Sequence, residues 1–127
     1  MNLRRYRAVW RLIERFPSQY KQDEWHCGTS HCVAGWADIV AAGYKRPELV
    51  NIPRSTGSIF CLGMPAKFRA WVIRSRRLKK LFDTKERAAS WLKLADRERD
   101  YLFAYCRTRD ELRAVAETGK FPWELPS

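Results

Sequence analysis

The apolar positions of this chain recur mainly at the three- and four-residue spacing of amphipathic α-helices. The first such pattern predicts a helix over Leu3–Phe16, which ends before Pro17. The second predicts a helix over His31–Ala42, with Thr29 or Ser30 as its N-cap. No stretch alternates convincingly with the two-residue period of a half-buried strand, so the pattern indicates a helical protein.

Proline and glycine residues divide the middle of the chain. Pro47 and Pro53 predict one irregular loop near residues 43–56. A short helix is expected at residues 57–62. A longer amphipathic helix follows at residues 65–82, with a proline in its first position.

Capping signals define the helices of the last third. Asp83 begins a capping-box sequence, and Asp96 is expected to cap the next helix, which extends to Cys106. The segment Thr108–Glu111 forms a second capping box, and Gly119 ends the helix that follows it. Together with the earlier patterns, these signals predict five to seven helices.

The composition suits one compact domain. The chain has 127 residues, of which 46% are hydrophobic, so one hydrophobic core can form without disulfide staples. The apolar tail segment Phe121-Pro122-Trp123 is expected to dock on this core. We therefore predict an all-α fold, a compact single-domain bundle over residues 1–127.

The strongly basic composition favours an acidic partner over the alternative of a basic solvated surface with no specific partner. The formal net charge is +11, which favours nucleic acid, a nucleoprotein complex or an acidic protein surface. The chain has no apolar run long enough to span a membrane, and its basic N-terminus is not followed by the apolar segment of a secretory signal. We therefore expect a cytoplasmic protein without a membrane partner, and its cysteines are expected to be reduced thiols.

Two basic helix faces are the candidate binding sites for nucleic acid or another partner. In the first predicted helix, four arginines lie within one quadrant, opposite the apolar face. This arginine stripe consists of Arg4, Arg7, Arg11 and Arg15. The second face belongs to the helix at residues 65–82, and its candidates are Lys67, Arg69, Arg74, Arg76, Arg77, Lys79 and Lys80. Arginines at helical spacing can bind phosphate groups bidentately.

The segment from residue 25 to residue 36, WHCGTSHCVAGW, contains both histidines and two of the four cysteines. Its pattern Cys27-Gly28-Thr29-x-x-Cys32-x-Ala34-Gly35-Trp36 resembles one found in small uncharacterised proteins of bacteriophages and bacteria. In those proteins a helix and a tryptophan precede the motif, and a leucine-glycine segment follows it, as Leu62-Gly63 does here. The resemblance covers roughly residues 8–92. It implies a phage or mobile-element setting and supplies no activity.

Two chemical interpretations of this segment are open. A zinc site would use Cys27, His31, Cys32 and Cys61, with His26 as a spare ligand. Adjacent residues on one helix point about 100° apart, so His31 and Cys32 do not easily face one ion. A thiol nucleophile at Cys32 is the other possibility, since the segment resembles the Cys-Gly-Ser-Cys-Trp element of papain-like proteases. No histidine lies downstream to act as its base.

A third, structural interpretation accounts for nearly every residue type in the segment, and we favour it. The glycine would form a tight turn, the threonine would cap the helix, and the cysteines would be small buried hydrophobic residues. The residues of this structural motif are Trp25, Cys27, Gly28, Thr29, Cys32, Gly35 and Trp36. On this interpretation the chain has no metal, no cofactor and no catalytic residue.

The basic faces favour a binding protein over an enzyme. We expect a small basic protein of phage or mobile-element type that contacts nucleic acid or a nucleoprotein complex. An alternative is a phage-type inhibitor or adaptor that binds an acidic surface of a host protein, with Tyr44, Phe121 and Trp123 as candidate exposed anchors. A thiol- or zinc-dependent enzyme ranks last, because paired carboxylates, a phosphate loop and a catalytic triad are not visible.

Overall fold

Helices account for most of the described chain. The computed structural model describes residues 1–22, 26–27, 30–52, 74 and 84–126, with the backbone alone for residues 26, 27 and 30. Within these ranges the α-helices are α1 (Leu3–Arg15), α2 (Val33–Ala41), α3 (Thr84–Leu92), α4 (Asp96–Leu102) and α5 (Arg109–Thr118). Short 3₁₀ helices lie at Pro17–Gln19, Pro47–Leu49 and Pro122–Glu124. The predicted helical character of the fold is confirmed.

The predicted irregular loop and the two helices after it are described only in part. Residues 43–52 contain no α-helix, which agrees with the predicted loop as far as it is described. The expected helices at residues 57–62 and 65–82 lie outside the described residues, apart from Arg74. Arg74 is helical and exposed.

Helix α1 forms where the sequence predicts it. Asn2 caps its N-terminus, because the Asn2 Oδ1 accepts a hydrogen bond from the Arg5 backbone N–H at 3.1 Å. Its buried side chains are Tyr6, Val9, Trp10 and Ile13. The Tyr6 hydroxyl donates to the Leu112 carbonyl at 2.8 Å, which joins α1 to α5. Burial raises the pKa of Tyr6 above its usual value.

Helix α2 begins two residues later than the predicted start at His31. The backbone of residues 30–31 pairs with that of residues 26–27 as two short antiparallel strands. The His31 carbonyl also accepts a hydrogen bond from the Lys21 N–H at 2.9 Å. These bonds keep His31 extended, so the helix cannot begin there. Strands of two residues are too short to show the alternation from which strands are predicted.

Cys32 is the N-cap of α2, so the prediction of Thr29 or Ser30 as the cap is wrong. The Cys32 backbone is extended, and its Sγ accepts a hydrogen bond from the Gly35 N–H at 3.4 Å. A buried sulfur atom therefore bonds one of the N–H groups that have no partner within the helix.

The hydrophobic core lies between α1, α2, α3 and α5. Helix α2 packs against α1 and α3, and α1 packs against α5. The largest fully buried side chains include Trp36, Tyr6, Phe121, Ile13, Leu92, Leu102 and Leu112. A second, smaller cluster of Ile39, Val50 and Ile52 holds the segment after α2 against that helix.

Helix α4 begins at Asp96, but its N-cap is Ala95, which corrects the prediction that Asp96 is the cap. The Glu98 carboxylate accepts a hydrogen bond from the Ala95 backbone N–H at 2.9 Å. Asp96 and Glu98 both lie in the first turn, where their negative charge is favourable at the positive end of the helix.

Helix α4 ends at Leu102, one turn before the predicted end at Cys106. The Gln22 side-chain amide donates to the Leu102 carbonyl at 3.1 Å, and the Arg107 Nε donates to the Tyr101 carbonyl at 3.0 Å. In a longer helix these carbonyls would accept bonds from N–H groups one turn further on. The two side chains therefore replace the bonds that would extend α4.

The predictions for the last helix and the tail are confirmed. Thr108 Oγ1 accepts a bond from the Glu111 N–H at 3.2 Å, and Glu111 Oε1 accepts one from the Thr108 N–H at 3.1 Å. This reciprocal pair is the capping box of α5. Beyond α5, the buried Phe121 ring stacks on Trp123 with ring centroids 4.8 Å apart, and Tyr101 lies edge-on to both rings.

Gly119 ends α5 in the left-handed conformation, with φ of 70°. A Cβ added at Gly119 would lie 2.8 Å from Leu3 Cδ2. Because strain and crowding act together, Gly119→Ala is expected to lower the free energy of unfolding by about 1–2 kcal/mol in urea titrations. Gly43→Ala is the control: its φ is also positive, but its added Cβ meets no described atom within 4 Å. Equal losses for the two variants would show that the contact with Leu3 has no effect.

Candidate functional site

The arginine stripe lies along the outer face of α1. All four of its side chains are exposed. Arg4 and Arg11 have no hydrogen-bond or ion-pair partner among the described residues, and the Arg15 Cζ lies 5.3 Å from the centre of the Phe16 ring. The structure therefore brings the four predicted arginines together on one solvent-facing side of the helix.

Arg7 combines an exposed position with a contact inside the fold. Its Nε donates to the Ala116 carbonyl at 2.8 Å, in the last turn of α5. Carbonyls in a last turn have no partner within their own helix, and a positive charge is favourable at that end. Arg7 thus stabilises the end of α5 as well as belonging to the stripe.

An open groove borders the stripe on the side of α5. This Trp10 groove has a volume of about 400 Å³ and is lined by Arg4, Arg7, Trp10, Arg11, Glu14, Ala116 and Glu117. The Glu14 Oε1 accepts a bond from the Trp10 indole N–H at 2.6 Å and lies 3.4 Å from the Arg113 Nε. The two carboxylates in the lining weaken the positive potential of this groove.

A second groove borders the stripe on the side of α3. This Trp91 groove has a volume of about 350 Å³ and is lined by Asn2, Arg4, Arg5, Ala8, Val40 and Trp91. The Arg5 Nη1 donates to the Trp91 carbonyl at 2.7 Å, and the Arg5 Cζ lies 5.1 Å from the centre of the Trp91 ring. None of its six lining residues is acidic. Arg4 lines both grooves and therefore lies between them.

The second predicted basic face is described at one position. Arg74 is exposed, as expected for a residue of that face. The other candidates lie outside the described residues: Lys67, Arg69, Arg76, Arg77, Lys79 and Lys80. Their role as a second binding face stays a prediction.

The residues of the cysteine-histidine segment whose side chains are described are all buried, from His31 to Trp36. The His31 ring lies edge-on to the Trp36 ring at 5.2 Å, and Phe16 stacks on Trp36 at 6.4 Å. The Trp36 indole N–H donates to the Gln19 carbonyl at 3.2 Å. These contacts support the structural interpretation for Trp36, and the bond from the Gly35 N–H to the Cys32 Sγ supports it for those two residues. Trp25, Gly28, Thr29 and the side chain of Cys27 lie outside the described residues.

The described residues bear on the zinc interpretation and on the thiol interpretation in different ways. Among the residues that the structure describes, no three potential metal ligands lie together. The zinc hypothesis needs the side chains of Cys27 and Cys61, which lie outside that part of the chain, so it stays a hypothesis. The Cys32 side chain is 1% exposed. A substrate could reach this thiol only after a change in conformation.

The sequence patterns do not predict the buried ion pair between Asp38 and Arg87. Asp38 of α2 is fully buried, and its Oδ1 lies 3.3 Å from the Arg87 Nε on α3. Burial lowers the pKa of Arg87, and the charge of Asp38 opposes this shift. The available signal is that Asp38 is the single charged residue in the helix sequence VAGWADIVA.

The three candidate anchors for a protein partner differ in exposure. Tyr44 is 45% exposed, as expected, and its role as an anchor stays a prediction. Phe121 is 1% exposed, so the prediction that it is an exposed anchor is wrong. Trp123 is partly buried, because Phe121 stacks on it and the Arg97 Cζ lies 4.1 Å from the centre of its ring. These two aromatic residues hold the tail against the body of the protein.

No protein-family model matches the chain, and neither a curated protein nor a solved structure is significantly similar to it. The resemblance of the Cys-Gly-Thr motif to proteins of bacteriophages and bacteria stays a prediction. In the part of the chain that the structure describes, no helix has both the length and the apolar character needed to cross a bilayer.

Proposed function

We propose that this protein is a small basic binding protein that contacts nucleic acid, alone or in a nucleoprotein complex, through the arginine stripe. The observation that supports the proposal is the exposure of all four stripe arginines on one face of α1. Arg4 and Arg15 are eleven residues apart, or about 16 Å along the helix axis. A positive row of this length can meet several phosphate groups of one strand.

The electrostatic properties of the chain support the same proposal. Its net charge of +11 attracts polyanions over a long range at low salt. Arg4 and Arg11 have no bonded partner among the described residues, so binding to a phosphate would not first require breaking a described ion pair. Contacts of this kind position a protein on the nucleic-acid backbone and do not themselves specify a base sequence.

Charge-matched variants test the proposal. The stripe variant carries Arg4→Gln, Arg11→Gln and Arg15→Gln, and retains Arg7 because it bonds α5. The control carries Lys21→Gln, Lys45→Gln and Lys120→Gln, at three other exposed positions. Each variant loses three positive charges, so the net charge falls from +11 to +8 in both. We expect the stripe variant to bind short DNA and RNA at least about tenfold more weakly than the unmodified protein does. The slope of log affinity against log salt concentration is expected to become less steep by about 0.7–0.9 for each lost phosphate contact.

Fluorescence anisotropy at several salt concentrations measures both effects, and thermal unfolding verifies that each variant is folded. Equal weakening in the two variants would show that net charge alone matters and would contradict a role for the stripe. If the unmodified protein binds neither DNA nor RNA at low salt, the proposal is wrong. The stripe would then fit the alternative function, in which it binds an acidic surface of a host protein.

A further inference from the structure

The Trp91 groove differs chemically from the Trp10 groove on the other side of the stripe. Three of its six lining residues, Ala8, Val40 and Trp91, are apolar, and the two charged ones are arginines. The lining of the Trp10 groove includes Glu14 and Glu117, which would repel a phosphate group. The Trp91 groove is therefore the better place for a ligand that joins a flat apolar group to an anion.

The side chains of Arg5 and Trp91 give this groove a fixed planar support. The guanidinium group lies over the indole ring and is held there by its bond to the Trp91 carbonyl. Aromatic rings and arginine guanidinium planes are the two supports on which unstacked bases lie in proteins that bind single strands. Arg4, at the edge of the same groove, has no described partner and belongs to the stripe.

We propose that the Trp91 groove takes one unstacked base of a single-stranded nucleic acid, while a neighbouring phosphate of that strand binds Arg4. This inference rests on the nucleic-acid binding proposed above and specifies the class of nucleic acid. In a duplex the bases are stacked and paired, so a base enters the groove only from a single strand or after it leaves the stack. The two arginines and the absence of acidic lining residues match the negative charge of the strand.

Three ligands separate base binding from phosphate binding, and their affinities are compared at equal concentrations of phosphate groups because the duplex has twice as many per molecule. They are a deoxythymidine dodecamer, an abasic dodecamer with the same number of phosphates, and a duplex of the same length. We expect the unmodified protein to bind the thymidine strand about tenfold more tightly than the abasic strand, which is a typical contribution of one base stacked on an aromatic support. Equal affinity for these two strands, or tighter binding of the duplex, would overturn the inference.

Two variants and one control locate the base. Trp91→Leu removes the aromatic support, and Ala8→Leu fills the groove without changing the pair of Arg5 and Trp91. Each is expected to abolish the preference for the thymidine strand and to leave affinity for the abasic strand within about twofold. Trp123→Leu is the matched control, because Trp123 also lies under an arginine but outside the groove. If Trp91→Leu does not fold, Ala8→Leu alone decides the result.

The outcomes distinguish this inference from the proposed function. If the stripe variant binds all three ligands weakly while Trp91→Leu and Ala8→Leu keep the base preference, the stripe binds nucleic acid and the groove does not hold a base. If the unmodified protein binds none of the three ligands, both proposals fail. A glutamate dodecamer serves as a competitor without bases. If it displaces the labelled thymidine strand as effectively as the unlabelled thymidine strand does, the inference is wrong, because the site would then recognise charge alone.

Discussion

Replacing Asp38 with alanine is expected to lower the free energy of unfolding by about 3–5 kcal/mol. The carboxylate is fully buried and lies 3.3 Å from the Nε of Arg87, whose side chain is 20% exposed, so its removal leaves a largely buried guanidinium group without this partner. Burial already lowers the pKa of Arg87, and the loss of Asp38 removes the charge that opposes this shift. Urea denaturation measures the change in stability.

The ion pair of Arg46 and Glu48 is the control for the Asp38 variant. It has a similar distance, 3.3 Å, but the Arg46 side chain is 72% exposed, so water replaces the lost interaction when Glu48 is changed to Gln. Adding Arg87→Met to Asp38→Ala is expected to recover part of the lost stability, because the guanidinium charge that interacted with Asp38 is then removed as well. A loss for Asp38→Ala as small as that for Glu48→Gln would contradict the assignment of a buried ion pair.

The second large effect is expected at Trp36, at the centre of the cysteine-histidine segment. Trp36→Ala is expected to lower the free energy of unfolding by about 3–5 kcal/mol, because it opens a cavity next to His31 and Phe16. Trp36→Phe keeps most of the ring volume but leaves the Gln19 carbonyl without its indole donor, which costs about 1–3 kcal/mol. We therefore expect the unmodified protein to be the most stable, Trp36→Phe to be less stable and Trp36→Ala to be the least stable.

Chemical denaturation of both Trp36 variants and of Trp123→Ala measures these differences. Trp123 is partly exposed, so its loss is expected to cost clearly less than the loss of Trp36. If Trp36→Ala is no less stable than Trp123→Ala, then the segment does not have the structural role that its contacts indicate. A change in nucleic-acid affinity in a folded Trp36 variant would point to a functional role of this segment instead.

The sequence predicts most accurately those helices whose signals lie close together in the chain. Helix α1 combines a helical apolar pattern with a stop at Pro17, and α5 has its capping box and its terminal glycine within twelve residues. These signals act through contacts one turn apart, so the local sequence contains them completely.

The wrong helix boundaries depend on contacts with distant parts of the chain. His31 stays extended because of its pairing with residue 26 and a bond from Lys21, neither of which produces a periodic pattern. Helix α4 ends early because Gln22, eighty residues away in the sequence, bonds the Leu102 carbonyl. Local patterns cannot show which side chain will reach a given carbonyl.

In the candidate site too, the features set by local sequence were predictable and those set by distant contacts were not. The arginine stripe was predictable, because one helix and its period determine which side chains share a face. The Trp91 groove was not, since its lining comes from α1, α2 and α3 and depends on how these helices meet. In the sequence, Val40 and Trp91 are apolar residues of helix faces, and nothing distinguishes them from residues of the closed core.

The arginines that the structure describes have two roles, and Arg7 has both, since it bonds the end of α5 and belongs to the stripe. In the described part of the chain, six of them hold helices or the tail in place, by lying over an aromatic ring or by donating to the last carbonyls of a helix: Arg5, Arg7, Arg97, Arg107, Arg109 and Arg113. A lysine in such a place keeps the charge but lacks the flat, forked donor group. A chain with these six arginines exchanged for lysine would keep its net charge of +11 and lose these contacts between its helices. The basicity of the sequence is thus in part a property of its architecture, and the number of its positive charges overstates the number of phosphates it can hold.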